Sequence, residues 1–292
     1  MAGMPALSHQ NPGETVALYQ MLILAIVQGL TEFLPISSSG HLVLTGKVMC
    51  WQDQGLAIDV AVHVGTLFAV ALYFWRDIWM MMIGFGRLVT GRGGPQTKVL
   101  ISVVVGTIPV VIVGFLAKDY VAMAFRDVEI IAWTTIGFGI LLWVADRVGM
   151  TVWRVEHLGV ASALMIGVSQ VLALVPGTSR SGITMTSARL LGLERSEAAR
   201  FSMLLSIPTI MGAGLLTGLD IYEQGNLNLG ADVVLAAGMS FVAGLIAIAL
   251  MMRWLRHAGF GPFVIYRLLL GAFLLYWVYG YGLSEGTSPF CG

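Results

Sequence analysis

Eight long apolar segments run through this 292-residue chain, and most approach the roughly 20 residues that a helix needs to cross a bilayer. Only 11% of the residues are charged, whereas a soluble domain carries about 25%. We therefore predict an all-α integral membrane protein that forms a single membrane domain over residues 1–292. Its net charge of zero gives no general attraction to nucleic acid. The apolar segments lie near residues 16–34, 59–75, 99–117, 130–146, 158–175, 201–219, 232–252 and 264–282.

The charges between these segments predict which side of the membrane each stretch occupies. Lys and Arg concentrate on the cytoplasmic side, so the basic stretches 76–98, 147–157 and 253–257 are predicted to lie inside. The stretch 220–232 is acidic and has no Lys or Arg, so it is predicted to lie outside. Complete crossings by all eight segments would put this acidic stretch inside, which conflicts with its charge.

A re-entrant arrangement removes this conflict. If the chain enters the membrane after residue 157, breaks at Pro176 and returns by residue 193, the acidic stretch falls outside. The same reasoning puts the N-terminus outside, and re-entrant backbone is stable where protein buries it. Two hairpins that enter from opposite faces would meet near the midplane, as in many transporters. We therefore predict two inverted-topology repeats, 16–147 and 158–282, each with a re-entrant helical hairpin (about 16–49 and 158–193) and three transmembrane helices.

The polar cluster at the turn of the second hairpin is suited to binding an oxyanion. Its hydroxyl groups are donors, its glycines allow close backbone approach, and the returning helix points its N-terminal amides into the turn. Arg180 can hold a phosphate through two parallel hydrogen bonds. The alternative is a polar kink in which Arg180 pairs with an acid. Besides Arg180 as a catalytic residue, the substrate-binding candidates here are Gly177, Thr178, Ser179, Ser181, Gly182 and Thr184.

The cluster at the turn of the first hairpin is suited to nucleophilic and acid–base chemistry. Ser38 is a weak nucleophile unless a base lies within hydrogen-bond reach, and His41 is one helical turn away. Glu32 could orient His41, or it could bind a divalent cation with Gln28, four residues earlier on the same helical face. The alternative is a helix break whose serines and histidine cap backbone groups. The catalytic candidates are therefore Ser38, His41 and Glu32, with Ser37 and Ser39 as candidate substrate contacts.

Residues Gln28–His41 (QGLTEFLPISSSGH) and Pro176–Thr184 (PGTSRSGIT) resemble two motifs of the bacterial undecaprenyl-diphosphate phosphatase family. Those motifs are an (E/Q)xxxE sequence that runs into a serine-rich loop ending in Gly-His, and PGxSRSxxT. Pro262–Arg267 (PFVIYR) is also similar to this family, so the resemblance covers nearly the whole chain. Because Gln28 occupies the first position of (E/Q)xxxE, this chain has one carboxylate in that motif and not two.

The resemblance implies a membrane hydrolase that removes the terminal phosphate of undecaprenyl diphosphate, a long-chain isoprenoid diphosphate lipid. It implies recycling of the lipid carrier for cell-wall synthesis, tolerance of bacitracin, and a divalent cation, Mg²⁺ or Ca²⁺, for activity. It also implies a location in the bacterial inner membrane, with the active site facing the outer, periplasmic side. The sequence leaves open whether the chain forms a homodimer.

Alternatives to this mechanism and to this function stay open from the sequence. His41 could attack phosphorus in place of Ser38 and form a phosphohistidine. The chain could also be a lipid-phosphate transporter or flippase without hydrolysis, since inverted repeats with midplane hairpins suit transport equally well. Hydrolysis is favoured because transport does not require His41 beside Ser38. A structural scaffold would have no use for either polar cluster.

Several polar residues outside the two clusters are predicted to have structural roles. Asp59 and His63 are spaced to form a pair along one helix face. Arg267, near the inner end of the last span, is expected to extend its charge toward the membrane surface. A solvated cytoplasmic face is predicted for Glu194, Arg195, Glu197 and Arg200.

Overall fold

The chain is described here by a computed structural model, which covers residues 18–51, 56–117, 127–223 and 231–281. Within these ranges it forms eleven α-helices and no β-sheet, which confirms the predicted all-α class. Residues 224–230 of the predicted outer acidic stretch lie outside the described residues. The helices are α1 (Leu18–Phe33), α2 (Ser38–Val48), α3 (Leu56–Tyr73), α4 (Trp75–Val89), α5 (Pro95–Leu116), α6 (Val128–Val148), α7 (Val160–Gln170), α8 (Arg180–Leu190), α9 (Arg195–Glu223), α10 (Ala231–Leu255) and α11 (Gly261–Tyr281).

The described helices include five that are long and apolar enough to cross a membrane, namely α5, α6, α9, α10 and α11. The number rises to six if α3 and α4 are taken as one span, although these two helices meet at a bend of 78°. The chain is therefore a multi-pass membrane protein. Two apolar segments that end beside the predicted turns are shorter than a span, namely α1 and Val160–Leu174, which is α7 extended by the 3₁₀ helix Val171–Leu174.

The basic stretch 76–98, interpreted from the sequence as a loop, is largely helical because α4 occupies most of it. Asp77 in the first turn and Arg87 in the last turn have the charges that the helix dipole favours. The helix ends before Gly91, which adopts a φ of +68°. The charges of this stretch indicate its side of the membrane but do not indicate a helix.

The chain turns back between the two helices of two short pairs, at the predicted turns. Helix α1 packs on α2 and α7 packs on α8. The open ends of each pair are also in contact: the rings of Tyr19 and Trp51 are 5.8 Å apart, and Trp153 forms an isolated parallel β-bridge with Leu193. Each helical hairpin therefore begins and ends at the same level of the helix bundle.

A network of ion pairs joins three of the segments predicted to be cytoplasmic. The Arg200 guanidinium contacts the carboxylates of Asp77, Glu156 and Glu197, the last two at 2.9 and 3.1 Å. The Arg200 side chain is only 16% exposed, so the predicted solvated face is wrong at this residue. It is covered because α9 packs against α5 and against the 3₁₀ helix Val155–His157.

Small residues allow the helices to pack closely. Helix α10 packs against α1 and α3, and α5 packs against α7 and α9. A side-chain carbon added at Gly65 would lie 2.1 Å from the carbonyl oxygen of Ala237, and one at Gly167 would lie 2.4 Å from that of Gly106. Such small-residue contacts are typical of helix pairs in membranes, where close backbone approach replaces the hydrophobic driving force.

Candidate active site

The turns of the two helical hairpins are in direct contact. The Ser181 hydroxyl donates to the carbonyl oxygen of Leu34 at 2.9 Å. The guanidinium of Arg180 donates to the Glu32 carboxylate at 3.1 Å, and both side chains are largely buried. The two polar clusters, separated by about half of the sequence, therefore form one site.

The two turns share an unusual backbone conformation. Ser37 and Ser179 have φ values of +73° and +71°, a region that residues other than glycine rarely adopt. Each serine caps the helix that follows it, because its hydroxyl accepts from the backbone amide three residues later, at Gly40 and Gly182. The turns are thus two copies of one local structure, and Ser38 and Arg180 occupy the same position in it.

Arg267 connects the two turns inside the helix bundle and does not extend to the membrane surface. Its side chain is completely buried, which contradicts the sequence expectation. The guanidinium donates to the carbonyl oxygens of Pro35 at 3.2 Å, Gly177 at 2.9 Å and Thr178 at 3.0 Å, and to that of Thr135 on α6 at 3.0 Å. The carbonyls of Pro35, Gly177 and Thr178 lie in the turns and have no helical partner there. One cation therefore satisfies acceptors from both hairpins.

The Glu32 carboxylate is the centre of the polar network. One oxygen accepts from the Ser38 hydroxyl at 2.8 Å and from the Gln28 amide at 2.8 Å, and the other accepts from Arg180. The Ser38 side chain is half-buried, so its hydroxyl reaches both the carboxylate and the open side of the site. This arrangement provides a nucleophile with an adjacent proton acceptor.

His41 contacts groups other than those expected from the sequence. One ring nitrogen, Nδ1, lies 2.6 Å from the Ser37 carbonyl oxygen, and Nε2 lies 2.6 Å from the Tyr266 hydroxyl. A carbonyl only accepts, so Nδ1 carries the proton, and in the neutral ring Nε2 accepts from Tyr266. Neither ring nitrogen bonds Ser38 or Glu32, so the predicted pairing of His41 with Ser38 is not formed in this structure.

The residues of the second turn divide into anchoring residues and residues that face the site. Arg180 also donates to the Ser202 carbonyl at 3.1 Å, which fixes its direction and leaves other donors of the guanidinium for a ligand. Thr184 is buried and bonds the Ser202 hydroxyl at 2.7 Å, so it helps to fix the residue whose carbonyl Arg180 contacts. The Ser179 and Ser181 hydroxyls lie 3.1 Å apart, and the buried Thr178 hydroxyl has no partner among the described residues.

The glycines of the second turn are required by space and by backbone conformation. Gly177 has a φ of +87°, and a side-chain carbon there would lie 2.1 Å from the Thr134 hydroxyl. The same atom at Gly182 would lie 2.8 Å from the Arg267 guanidinium. The turn can therefore pack against α6 and Arg267 only without side chains at these positions.

Comparison with known proteins assigns the chain to a family. The family of bacitracin resistance proteins BacA matches residues 21–273. The chain belongs to the BacA family. It is 51% identical over 261 residues to an undecaprenyl-diphosphatase of Hahella chejuensis, covering 89% of this chain and 98% of the relative. It is 50% identical over 280 residues to undecaprenyl-diphosphatase 1 of Rhodospirillum rubrum, covering 94% and 98% of the two chains. A third relative, the undecaprenyl-diphosphatase of Roseobacter denitrificans, is 46% identical over 266 residues, which cover 90% of this chain and all of the relative.

This BacA-family chain offers few ligands for a divalent cation. The described part of the chain has no group of three or more His, Cys, Asp and Glu side chains that could hold a metal ion. Glu32 is the one carboxylate in the site, and Gln28 adds a buried amide oxygen that has no partner there. These two oxygens fit a hard cation only if a ligand supplies most of its six or more coordination positions.

Sequence reasoning missed two groups that shape this BacA-family site. Tyr266 bonds His41, and Thr134 donates to the carbonyl of Pro176 at 2.7 Å. The PFVIYR motif was a usable signal for Tyr266, because it contains the buried Arg267 as well. By contrast, His63 bonds the backbone carbonyl of Asp59 at 2.6 Å, a local contact along α3.

Proposed function

We propose that this chain hydrolyses undecaprenyl diphosphate to undecaprenyl phosphate and inorganic phosphate. The observation that carries this proposal is the contact of Ser38 and Arg180 with the same carboxylate, Glu32, at the meeting point of the two turns. A nucleophile with a proton acceptor thus lies beside a cation suited to phosphate. The names of the relatives support the same substrate. The product is the lipid carrier used in cell-wall synthesis, and its recycling accounts for bacitracin tolerance.

Binding of the diphosphate relies on Arg180 and on the donors of both turns. Electrostatic positioning dominates phosphoryl transfer, because charge spreads over the oxygens of the transferred group. Arg180, the hydroxyls of Thr178 and Ser179, and the amides at the start of α8 neutralise those oxygens. Ser37 and Ser39 provide further hydroxyls from the first turn. The isoprenoid chain remains among the lipids outside the bundle.

Hydrolysis proceeds in two displacements. The Ser38 oxygen attacks the terminal phosphorus, its proton passes to Glu32, and the bond from phosphorus to the bridging oxygen breaks to release undecaprenyl phosphate. Glu32 then releases this proton to solvent and water attacks the phosphoserine. One proton of the water passes to the Ser38 oxygen as the bond from phosphorus to that oxygen breaks, and inorganic phosphate leaves with the other proton. Glu32 is favoured over His41 as the base because only Glu32 accepts the Ser38 hydrogen bond. His41, held by Tyr266, is assigned to protonation of the leaving oxygen once Nε2 has taken up a second proton, because in the neutral ring this nitrogen only accepts.

A divalent cation fits this scheme as a partner of the diphosphate. Glu32 and Gln28 would hold it from the protein side, and it would supply neutralisation of the phosphate oxygens. The described residues contribute one carboxylate to the site, so most cation ligands would come from the substrate. Affinity for the cation is therefore expected to rise when the diphosphate is bound.

We propose that the chain is built from two inverted repeats, 16–147 and 158–282. The turns of the two hairpins are in contact, and the open end of the first hairpin is at Trp51. From there the chain passes along α3 to Asp77, which contacts Arg200 beside the open end of the second hairpin. One crossing therefore separates the open ends, as two re-entrant hairpins from opposite faces require. The packing of α1 on α10 and of α7 on α5 supports the same symmetry.

The loop charges orient this bundle in the bacterial inner membrane with the Arg200 end in the cytoplasm and the site open to the periplasmic side. A cysteine introduced in place of Glu194 tests the orientation through labelling in intact cells and in inverted vesicles. Reaction from the cytoplasmic side is expected. Reaction only from the periplasmic side would contradict both the orientation and the inverted repeats.

The function is tested by phosphate release from a long-chain isoprenoid diphosphate in detergent. Release by the wild-type chain and its loss in Ser38→Ala are expected. The alternative function is a flippase, which would release no phosphate yet would move a fluorescent isoprenoid phosphate across vesicle membranes. The contact of Ser38 with Glu32 favours hydrolysis, because a transport site has no use for an activated hydroxyl.

Trapping of the intermediate distinguishes the two nucleophiles. A phosphate that is stable to acid and maps to Ser38 is expected after quenching with labelled substrate. Acid-labile phosphate on His41 would show that the histidine attacks and would overturn the serine mechanism.

A further inference from the structure

A cleft with a volume of about 330 Å³ opens at the end of the bundle that is remote from the polar turns. It lies between the end of α6, the start of α9 and the turn that joins α10 to α11. Thr135 marks the level of the polar turns on α6, and Asp146 lies about 16 Å further along this helix at 1.5 Å per residue. The lining includes Trp143, Asp146, Arg147, Arg195, Trp254 and Gly259.

Positive charge exceeds negative charge in this cleft. The Asp146 carboxylate is already compensated, because Arg195 lies 2.7 Å away, Arg189 lies 3.4 Å away and the Phe260 amide donates to it at 3.2 Å. Two guanidinium groups therefore share one carboxylate. Arg189 is buried and does not line the cleft, so the lining has two arginines, Arg147 and Arg195, and one carboxylate. Arg147 lies 5.5 Å from the centroid of the Trp143 ring and has no carboxylate partner in the described part of the chain. The excess of cations fits an anionic ligand.

Two tryptophans place the cleft at the level of lipid headgroups. Trp143 and Trp254 are 47% and 45% exposed, and they lie near the ends of the spans formed by α6 and α10. Tryptophan is enriched at the membrane surface, where its ring contacts glycerol and acyl chains while its N–H stays near polar groups. Trp254 is fixed by donating to the Gly259 carbonyl at 2.9 Å. A ligand with both a phosphate and an apolar part therefore fits the cleft better than a free anion.

We propose that this cleft binds the headgroup of an anionic glycerophospholipid from the leaflet opposite the catalytic turns. Arg147 and Arg195 contact the phosphate oxygens, and the tryptophan rings contact the glycerol and the first acyl carbons. Basic pockets between transmembrane helices on the cytoplasmic side are known to select such headgroups. The bound lipid also steadies α8, because Arg189 at the end of this helix contacts Asp146 while Arg180 at its start lies in the catalytic site.

Native mass spectrometry after addition of equal amounts of dioleoyl-phosphatidylglycerol and dioleoyl-phosphatidylcholine tests this proposal. The wild-type chain is expected to retain phosphatidylglycerol preferentially. Arg147→Gln should weaken this retention about fivefold, since one cation near the membrane surface contributes about a factor of this size to binding of an anionic lipid. Arg147→Lys should restore most of it. The matched control is Arg92→Gln, an exposed arginine in the turn after α4 and outside the cleft.

Several outcomes would overturn the proposal. Equal retention of the two lipids would show that headgroup charge is not recognised, and wild-type retention by Arg147→Gln would show that the cleft is not the site. Displacement of phosphatidylglycerol by millimolar inorganic phosphate would assign the cleft to a free anion. Arg147 is exposed and distant from the catalytic turns, so an unchanged melting temperature confirms that loss of lipid does not reflect unfolding.

Discussion

Replacement of Arg267 by methionine tests whether one buried cation holds the two catalytic turns together. Methionine has a similar length and keeps the packing, but it donates no hydrogen bond. The carbonyls of Pro35, Gly177 and Thr178 then lose their donor at a position that is completely buried. At about 1 kcal/mol for each orphaned carbonyl, the low end of the usual range, the loss of stability is about 3 kcal/mol. At about 2.1 cal/mol/K of unfolding entropy per residue, this corresponds to a fall in melting temperature of about 5 °C for a chain of this size.

The assay is thermal unfolding in detergent followed by tryptophan fluorescence, together with phosphate release at a temperature where the variant is folded. Separation of the turns displaces Arg180 from Ser38, and a shift of about 1 Å is expected to lower the rate about 100-fold. The melting temperature and the rate of Arg267→Lys should lie between those of the wild-type chain and those of Arg267→Met. An ammonium keeps the charge but not the planar fork of donors. Arg256→Met, at an exposed position in the turn that follows α10, is the control. An Arg267→Met variant with wild-type melting temperature and rate would refute the reasoning.

The remaining predictions concern the catalytic turns. Arg180→Ala should lower phosphate release at least about 1,000-fold when assayed at a temperature where the variant is folded, since it also leaves the buried Glu32 carboxylate without its ion-pair partner and lowers the melting temperature; near-normal activity would remove its phosphate role. Glu32→Gln keeps the shape of the side chain but not its charge, so the rate should fall about 100-fold or more; a wild-type rate would exclude Glu32 as the base. Gly177→Ala should destabilise the fold by about 2 kcal/mol or more, because of its positive φ and its contact with Thr134. Gly137→Ala, which adds a carbon in open space on α6, should leave the melting temperature unchanged, and equal melting of the two glycine variants would contradict the steric argument.

The helical class and the two turns could be predicted because they depend on local sequence. A run of about 20 apolar residues specifies a membrane helix, and Pro176 followed by Gly177 specifies a break, whatever lies nearby. The charges of the loops then indicated which segments share a side. This inference agrees with the ion pairs of Arg200, which join residues from stretches predicted to be cytoplasmic.

The partners of individual side chains could not be predicted, because they depend on three-dimensional packing. Sequence spacing paired His41 with Ser38, but the structure pairs Ser38 with Glu32 and His41 with Tyr266, which is distant in sequence. Arg267 was expected at the surface, since an isolated charge near the end of a span normally extends there. Arg267 is buried because it donates to backbone carbonyls of both turns, and these carbonyls come together only in the folded protein.

The duplication of the turn explains how a site with two different functions could be built from one local structure. In both turns a serine with positive φ caps the next helix, and the residue after it is the first residue of that helix. That residue is Ser38 in one copy and Arg180 in the other, and both contact Glu32. A difference in one residue at equivalent positions thus provides the nucleophile in one turn and the phosphate-binding cation in the other, and the two side chains are adjacent. Exchange of either residue for the other would keep both caps but leave the site with two nucleophiles or two cations. Ser38→Arg and Arg180→Ser are therefore both expected to fold and to release no phosphate.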